Sequence, residues 1–414
     1  MSGAGSYPHS RPDAPFHAPV PVRRAWRERV RVWWQEIDKV LLAFILMLMA
    51  IGTASVLAAS PASADQLSTA EVRLDEFLFF KRHLVFQFMG LCLMIGLSFL
   101  ERDDARRVGI VVGVIMLGLM FLVPIFGAEK NGARRWLEVG MSLQPSEFLK
   151  PGFTVILAWI LSWRLRDPDL PVLGYCTAIM ALVAALLMLQ PNLGATILFG
   201  GVWFVLILLS GVSLQRIGAL VLAGITGLTL SYFLYDNARH RIDSFFGGGT
   251  AFDQVDLAQR TLLAGGWTGS GLWLGVRKMN LPEAHTDYIF SVIGEEFGLI
   301  VCAIVVALYL AIVARVLLRL VGEDNLFVLL AGTGLATGFG GQAFINILVN
   351  LQLFPSKGMT LPLVSYGGSS TLAVCFAIGL LLAITRRNPF LQRDDVGLMS
   401  MIERPKTDHR EDRA

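Results

Sequence analysis

Ten stretches of about 20 mostly apolar residues run through the chain, and each is long enough to cross the hydrocarbon core of a bilayer as a helix. They lie near residues 40–60, 83–100, 108–126, 147–163, 172–189, 193–210, 217–235, 288–313, 326–349 and 367–385. Only 16% of the residues are charged, against about 25% in soluble domains. The sequence therefore predicts an all-α polytopic integral membrane protein, and excludes a soluble globule and a disordered chain.

Arginine and lysine residues alternate in the connections between these spans, which sets the expected orientation. They occur in the tail before the first span and then in every second connection: Arg23, Arg24, Arg27, Arg29, Arg31, Lys39, Arg102, Arg106, Arg107, Arg164, Arg166, Arg216, Arg315, Arg319, Arg386 and Arg387. An even number of spans leaves both ends of the chain on one side. We expect both termini to be cytoplasmic.

Three regions are expected along the chain. Residues 1–38 form a basic, Pro-rich and partly disordered cytoplasmic tail, 39–388 the membrane domain, and 389–414 a charged cytoplasmic tail. The basic, aromatic segment near the end of the first tail either lies on the anionic inner leaflet or serves as a topology signal. The net charge of +3 gives no sign of a nucleic-acid partner.

Polar residues collect in the connections of the opposite, outer face, which suggests a single outward-facing site. The largest of these connections is the loop 235–287 between the seventh and eighth spans. Near the start of the fourth span, Glu147 and Lys150 are three residues apart and share a helix face. They form either a structural ion pair or a functional one, since ionisable groups at membrane depth are expensive.

Asp287 ends the largest loop, directly before an apolar span. A partly desolvated carboxylate at this boundary can act as a base, because burial raises the pKa of an acid. The alternative, which spacing alone favours, is that Thr286 or Asp287 caps the following helix. His285 is more simply a packed loop residue than a catalyst. No second histidine at ligand spacing supports a metal site.

Basic residues on the outer face run against the usual bias and favour an anionic ligand. They are Arg134, Arg135, Arg239, Arg241, Arg277, Lys278 and Lys357. The alternative is pairing with loop acids such as Glu129, Glu138, Asp243 and Asp256. The glycines at 265–275 are a weak phosphate signal. The sequence Gly-Gly-Ser-Ser at 367–370 favours close helix packing over an anion-binding helix start.

Five segments in this order are similar to the SEDS family (shape, elongation, division and sporulation) of membrane peptidoglycan polymerases. They are GARRWL at 132–137, QPSEFLK at 144–150, QPNLG at 190–194, LPEAHTDYIFSVIGEEFG at 281–298 and FPSKGMTLPLVSYGGSS at 354–370. The resemblance runs from about residue 38 to 388. LPEAHTD, GEEFG, PSKG and the basic tail resemble the FtsW-type division branch more than the RodA-type elongation branch.

The resemblance implies a glycosyltransferase that joins lipid II units into glycan strands, with Asp287 as the essential acid. Residues of the same motifs are expected to support the site or bind substrate: Glu147, Lys150, Arg134, Arg135, Lys357, His285, Gln190, Ser369 and Ser370. The sequence departs from the family pattern at Asn192, where Asp is usual, and at Gln352, where many members have Gly.

The resemblance also implies the partners and the setting of the protein. These are a class B penicillin-binding protein and other divisome membrane proteins, at the septum of a bacterial inner membrane. A divalent cation, Mg²⁺ or Mn²⁺, is a possible aid to the departing pyrophosphate. The rival functions are a lipid II flippase, with Glu147, Lys150, Glu295 and Glu296 along its pathway, a RodA-like polymerase for elongation, and a scaffold that only recruits partners.

Overall fold

The computed structural model describes residues 26–69, 72–130, 133–165, 167, 169–211, 214–234, 239, 243, 254–355 and 358–387. Residues Asp38–Arg386 form one compact unit, and helix α1 (Trp26–Glu36) belongs to a second unit. Helix α1 combines arginines with tryptophans, as the sequence indicated for a basic, aromatic segment. The division into tails and membrane domain at 38 and 388 stays a prediction.

The compact unit is built mainly of helices. In chain order they are α2 (Lys39–Leu67), α3 (Leu78–Ser98), α4 (Arg102–Phe126), α5 (Pro145–Ser162), α6 (Val172–Leu189), α7 (Leu193–Leu209), α8 (Leu214–Leu234), α9 (Gln254–Ala264), α10 (Ile289–Leu320), α11 (Leu326–Asn350) and α12 (Gly368–Ile384). Short 3-10 turns lie at Trp163–Leu165 and Arg277–Asn280.

Each of the ten predicted spans coincides with a helix. Seven helical segments in the described part of the chain are long and apolar enough to cross a membrane: Lys39–Leu67, Leu78–Ser98, Arg102–Phe126, Pro145–Leu165, Val172–Leu189, Ile289–Leu320 and Leu326–Asn350. Shorter apolar helices are Leu193–Leu209, Gly218–Gly227 and Gly368–Ile384. The polytopic helical class is confirmed, whereas the number of spans and their orientation stay predictions.

A small antiparallel sheet follows α4, which the all-α prediction missed. Its strands are β1 (Ala128–Lys130), β2 (Ala133–Val139) and β3 (Met141–Leu143), in the order β1-β2-β3. Gly140, with φ 72°, makes the tight turn between β2 and β3, a conformation that favours glycine. The strands are short and rich in polar residues, so their sequence resembles a loop.

Small residues let the central helices approach closely, as is common between membrane helices. A Cβ on Gly152 of α5 would lie 2.4 Å from Cα of Gly113 on α4. A Cβ on Gly90 of α3 would lie 2.7 Å from Sγ of Cys375 on α12. Helix α11 is the most buried of the long spans and packs against α5, α7, α10 and α12.

Arg315 and Arg319 near the end of α10 bond to the start of α2 and to the residue after α12. Asp38 caps α2 by accepting from the amide of Leu41 at 3.0 Å, and it pairs with Arg315 at 2.9 Å and Arg319 at 2.8 Å. Burial opposes ionisation of Asp38, but the hydrogen bonds from Arg315, Leu41 and Arg319 hold its pKa below the usual value. Arg102 also lies here, donating to the carbonyl of Arg386 at 2.9 Å, so residues expected on the cytoplasmic side lie together.

Helix α10 is interrupted at Gly298, which has φ 85° and ψ 170°. Four backbone hydrogen bonds to the preceding loop replace the helical bonds lost there: Ser270 N to Glu295 O, Gly271 N to Glu296 O, Leu299 N to Gly266 O and Ile300 N to Trp267 O, at 2.8–3.2 Å. Residues 266–271 of the predicted outer loop are therefore held against the first third of this helix.

Candidate active site

The turn before α10 carries Asp287 at the wall of a small pocket. The other lining residues are Tyr288, Ile345, Asn346, Val349, Gly358 and Met359. Asp287 is half-buried. Helix α10 begins at Ile289 with Tyr288 as its N-cap, so the cap position expected for Thr286 or Asp287 is taken by Tyr288. The side chain of Thr286 instead donates to the carboxylate of Glu283 at 2.7 Å.

Two amide side chains of α11 fix the backbone at Asp287. Its carbonyl accepts from Nδ2 of Asn346 at 2.8 Å and from Nδ2 of Asn350 at 3.2 Å. Asn346 also donates to the carbonyl of Met359 at 2.6 Å, and Oδ1 of Asn350 accepts from the hydroxyl of Ser291 at 2.7 Å. These buried amides are hydrogen-bonded on both sides, so they lock the end of the loop against the helix bundle.

The segment before α12 packs against the other side of the same turn. Tyr366 donates its backbone N–H to the carbonyl of His285 at 2.9 Å, and Ser365 donates its hydroxyl to the carbonyl of Thr286 at 2.6 Å. The ring of His285 lies 4.3 Å from that of Phe79 and 5.4 Å from that of Tyr366. Burial lowers the pKa of His285 to about 4, although Glu283 opposes the shift. His285 is thus a neutral packing residue at neutral pH.

Arg135 brings a positive charge close to Asp287. A Cβ on Gly358 would lie 3.4 Å from Oδ2 of Asp287 and 3.9 Å from Nη1 of Arg135. The guanidinium also donates to the backbone carbonyls of Gln190 and Pro191, and the bond to Gln190 measures 3.0 Å. Arg135 therefore ties strand β2 to the turn between α6 and α7 beside the carboxylate.

Three of the other predicted basic residues of the outer face are paired with acids, two of them with acids of the outer connections. Arg134 lies 3.4 Å from Glu129 across the hairpin. Arg239 lies 3.6 Å from Asp243. The ammonium of Lys278 is buried against Glu296. These contacts favour the pairing alternative for these residues. Lys357 and Arg241 lie outside the described residues.

Glu147 and Lys150 form an ion pair of 2.8 Å in which both side chains are largely buried. The ammonium also donates to Oε1 of Gln342 on α11 at 2.8 Å. Nε2 of Gln342 donates to the carbonyl of Thr360 at 2.9 Å, and the hydroxyls of Thr360 and Ser370 are 2.7 Å apart. Oε2 of Glu147 is buried without a hydrogen-bond partner. This unmatched oxygen favours a ligand-binding role over a closed structural pair.

A mainly apolar pocket opens beside this pair. Its empty volume is about 520 Å³, part of it open to solvent, and α5, α7, α11 and α12 form its walls. The polar residues Glu147, Lys150, Thr154 and Gln342 lie among apolar ones, which are Pro151, Phe153, Leu198, Phe199, Val202, Leu335, Gly338, Phe339, Pro362, Ala373, Val374 and Ala377. A few polar groups in an apolar recess are typical of a site for an amphipathic ligand.

One face of α11 connects the two pockets. Gln342, Asn346 and Asn350 are four residues apart and contact Lys150, the carbonyl of Asp287 and Ser291 respectively. Sequence reasoning missed these three amides. The available signal was the repeat of amide residues at a spacing of four inside an apolar span, where polar side chains usually bond between helices.

The remaining predicted residues lie on segments other than the turn that carries Asp287. The side chain of Gln190 is fully buried and donates to the carbonyl of Met120 at 3.3 Å. Ser369 lies half-buried in the first turn of α12. Asn192 caps α7, its Oδ1 accepting from the amide of Ala195 at 3.3 Å. The amide oxygen thus performs the capping function that a carboxylate at this position would also perform.

Gln352 departs from the family pattern where glycine has a physical advantage. It follows the end of α11 with φ 59°, its N–H donating to the carbonyl of Val349, and the next N–H, of Leu353, donating to that of Leu348. This is a Schellman ending, in which the left-handed residue is usually glycine. Gln352 therefore places backbone strain at the end of α11, since a residue other than glycine holds the left-handed conformation there.

Glu295 and Glu296 bind the loop before α10. Glu295 accepts from the backbone amides of Arg277 at 2.6 Å and Lys278 at 2.9 Å. Glu296 accepts from the amide of Trp273 and pairs with Lys278. Both carboxylates are buried and bonded to the loop, so each has a structural partner. A Cβ on Gly265 would lie 2.1 Å from the carbonyl oxygen of Gly294, so this glycine permits packing on α10.

The described residues contain no group of three or more His, Cys, Asp or Glu side chains that would hold a metal ion. The pocket at Asp287 offers one carboxylate among amide and apolar groups. This donor set does not fit a resident divalent cation, which prefers several oxygen ligands.

Comparison with known proteins identifies the family. The family model described as "Cell cycle protein", FTSW_RODA_SPOVE, matches residues 38–389. This chain belongs to the FtsW/RodA/SpoVE family. A protein of Caulobacter vibrioides named "Probable peptidoglycan glycosyltransferase FtsW" is 34% identical over 368 residues, covering 88% of this chain and 93% of that protein. A protein of Polynucleobacter necessarius with the same name is 35% identical over 392 residues, covering 88% and 90%.

Solved structures of the FtsW/RodA/SpoVE family share the fold. A chain from a structure described as "Structural coordination of polymerization and crosslinking by a peptidoglycan synthase complex" aligns with a TM-score of 0.67 and 26% identity, covering 84% of this chain and 97% of that one. The rod shape determining protein RodA of Thermus thermophilus aligns with a TM-score of 0.63 and 27% identity, covering 86% and 99%. The family resemblance predicted from the motifs is confirmed.

Proposed function

We propose that this chain is a peptidoglycan glycosyltransferase that polymerises lipid II into β-1,4 glycan strands for septal wall synthesis during cell division. The names of the curated relatives, aligned over most of both chains, support this activity and the division branch. The observation that carries the proposal is the half-buried carboxylate of Asp287, fixed at its backbone by two amides and accompanied by Arg135.

In the proposed reaction Asp287 is the general base. Its carboxylate takes the proton of the acceptor 4-hydroxyl as that oxygen attacks the anomeric carbon of the donor sugar. The new C–O bond forms as the bond to the lipid pyrophosphate breaks, and this single displacement inverts the α linkage to β. The hydrogen bonds from Asn346 and Asn350 hold the backbone of Asp287 in position. Little conformational entropy is therefore lost at the base when the substrates bind.

Positive groups near the two pockets are suited to the departing pyrophosphate, which carries the charge that develops in the transition state. Arg135 and Asp287 share Gly358 as a neighbour, since a Cβ on Gly358 would lie within 4 Å of both side chains. Lys150 reaches the apolar pocket, and Glu147 and Gln342 hold its ammonium. Arg134 and Lys357 remain candidates from the motifs. A Mg²⁺ or Mn²⁺ ion, if required, would arrive with the pyrophosphate.

The setting is proposed from the same relatives. The structural neighbour from a synthase complex of polymerization and crosslinking supports a crosslinking partner. We propose a class B penicillin-binding protein, with other divisome membrane proteins, at the septum of the inner membrane. The rival flippase function loses support from Glu295 and Glu296, whose carboxylates are bonded to a loop.

Asp287→Asn tests the proposal. We expect the purified variant, combined with the cognate transpeptidase and lipid II, to make no glycan above background, because the amide cannot accept the proton. The matched control is Glu283→Gln, an exposed acid four residues earlier on the same turn, which should polymerise at the wild-type rate. Glycan from Asp287→Asn at the wild-type rate, with both proteins equally folded, would remove Asp287 from the chemistry.

A further inference from the structure

Residues 261–276 of the predicted outer loop have the character of a membrane-facing segment. The sequence TLLAGGWTGSGLWLGV contains no charged side chain, and Arg260 and Arg277 flank it. Six of its large apolar side chains are exposed: Leu263, Trp267, Leu272, Trp273, Leu274 and Val276, the last two at 70% and 73%. Six large exposed apolar side chains within 16 residues are unusual on a protein face that meets water.

The break in α10 indicates the depth of this segment. Arg315 and Arg319, paired with Asp38, mark the end of α10 that is expected at the inner interface. A helix rises about 1.5 Å per residue, so about 20 residues of α10 cross a hydrocarbon core of about 30 Å. Counted from Arg315 towards the start of the helix, they end near its outer side. The outer boundary then falls near residue 295, and Gly298 lies just inside it.

Backbone contacts hold the segment at this break. The amides and carbonyls of residues 266–271 take up the groups that the interruption at Gly298 frees on α10. Such groups cost several kcal/mol each when they are unpaired in lipid, so non-helical backbone persists there only against other protein. On its other side, Trp273 donates its indole N–H to the carbonyl of Leu57 on α2 at 3.4 Å. The segment is thus seated between α10 and α2.

We propose that residues 261–276 form a re-entrant segment embedded in the outer leaflet, with the exposed side chains against lipid acyl chains. Trp267 and Trp273, rings with an N–H, suit the outer boundary of the bilayer. The absence of charge between Arg260 and Arg277 fits lipid as the occupant of this surface better than an aqueous or ionic partner. The segment anchors the outer part of α10, which begins two residues after Asp287.

Site-specific quenching in lipid nanodiscs tests this placement. The full chain carries Cys92→Ser, since Cys92 is exposed and the other three cysteines are buried. A fluorophore is attached at Leu274→Cys or Val276→Cys, both at exposed positions. The matched control is Glu283→Cys, an exposed position after the segment on the same loop.

We expect doxyl-labelled lipids to quench the two segment probes strongly and aqueous iodide to leave them bright, with blue-shifted emission. The control probe should show the reverse pattern. Iodide quenching at Leu274→Cys equal to that at the control would overturn the proposal. Protection from both quenchers would also overturn it, because a second copy of the chain would then cover the surface.

Discussion

Asp287 and His285 lie two positions apart on one turn, yet their environments differ. Asp287 is half-buried at a pocket wall, while the ring of His285 is enclosed by Phe79 and Tyr366. The segment LPEAHTD contains both, and the resemblance to the SEDS family implied a supporting or substrate-binding role for the histidine. The structure gives His285 a packing role that fixes the turn on which Asp287 lies.

The low pKa of His285 predicts a pH dependence of stability. The unfolded chain takes up a proton near pH 6.5, whereas the folded protein does so only near pH 4. The free energy of unfolding therefore falls as the pH decreases between these values, by about 3 kcal/mol. Thermal unfolding in detergent from pH 7 to 4 should show this loss in the wild type. His285→Phe keeps an aromatic ring but has no group to protonate, so its free energy of unfolding should fall by about 3 kcal/mol less over the same pH range. The same dependence of unfolding free energy on pH in both proteins would contradict the prediction.

At the scale of elements, α10 and the loop before it form one unit. The interruption at Gly298 needs the amides and carbonyls of residues 266–271, and the loop in turn needs Glu295 and Glu296 to bind its backbone amides. A hydropathy pattern predicts one continuous span here, because the break changes backbone bonding and leaves the side chains apolar. Only the left-handed conformation of Gly298 reveals it.

Gly298→Ala should destabilise the protein by more than about 2 kcal/mol. The new Cβ would lie 2.3 Å from the carbonyl oxygen of Trp267. The alanine would also have to adopt φ 85°, so both packing and backbone conformation oppose the substitution. Gly118→Ala on α4 is the control, since open space surrounds that site and alanine favours the helix by up to about 1 kcal/mol. Comparable melting temperatures for the two variants would contradict the role of the break.

At the scale of the whole molecule, one polar path crosses the bundle. The ion pair on α5 contacts Gln342 on α11, and Asn346 and Asn350 on the same face of α11 reach the turn at Asp287. Apolar packing surrounds this path on every helix it crosses. The path thus runs from the apolar pocket to the backbone of Asp287 through three elements distant in sequence.

The pair of Glu147 and Lys150 can be tested as structure or as function. Lys150→Met should lower stability by about 3–5 kcal/mol, because it leaves the buried carboxylate of Glu147 without its cation. Adding Glu147→Gln should restore most of that stability, since both charges are then absent. If the pair serves the reaction, polymerisation stays lost in the double variant. Wild-type glycan synthesis by the double variant would make the pair purely structural.

Much of the architecture could be predicted because each span must satisfy its backbone internally in lipid, so helix and hydropathy coincide. All ten predicted stretches became helices, and the motifs identified the family correctly. The small sheet after α4 was missed, since its strands are short and polar. The side chain of Gln190 donates to the carbonyl of Met120, a contact that could not be predicted because a motif carries no information on side-chain directions.

The sequence by itself determined the helical membrane class and the family, because these depend on local composition and motif order, and it indicated Asp287 and Glu147 as candidate site residues. Tertiary structure alone decided which groups meet: the amide clamp on the carbonyl of Asp287, the neighbouring Arg135, and the loop against the broken α10. These contacts join residues far apart in the chain, and hydropathy carries no information about such pairings.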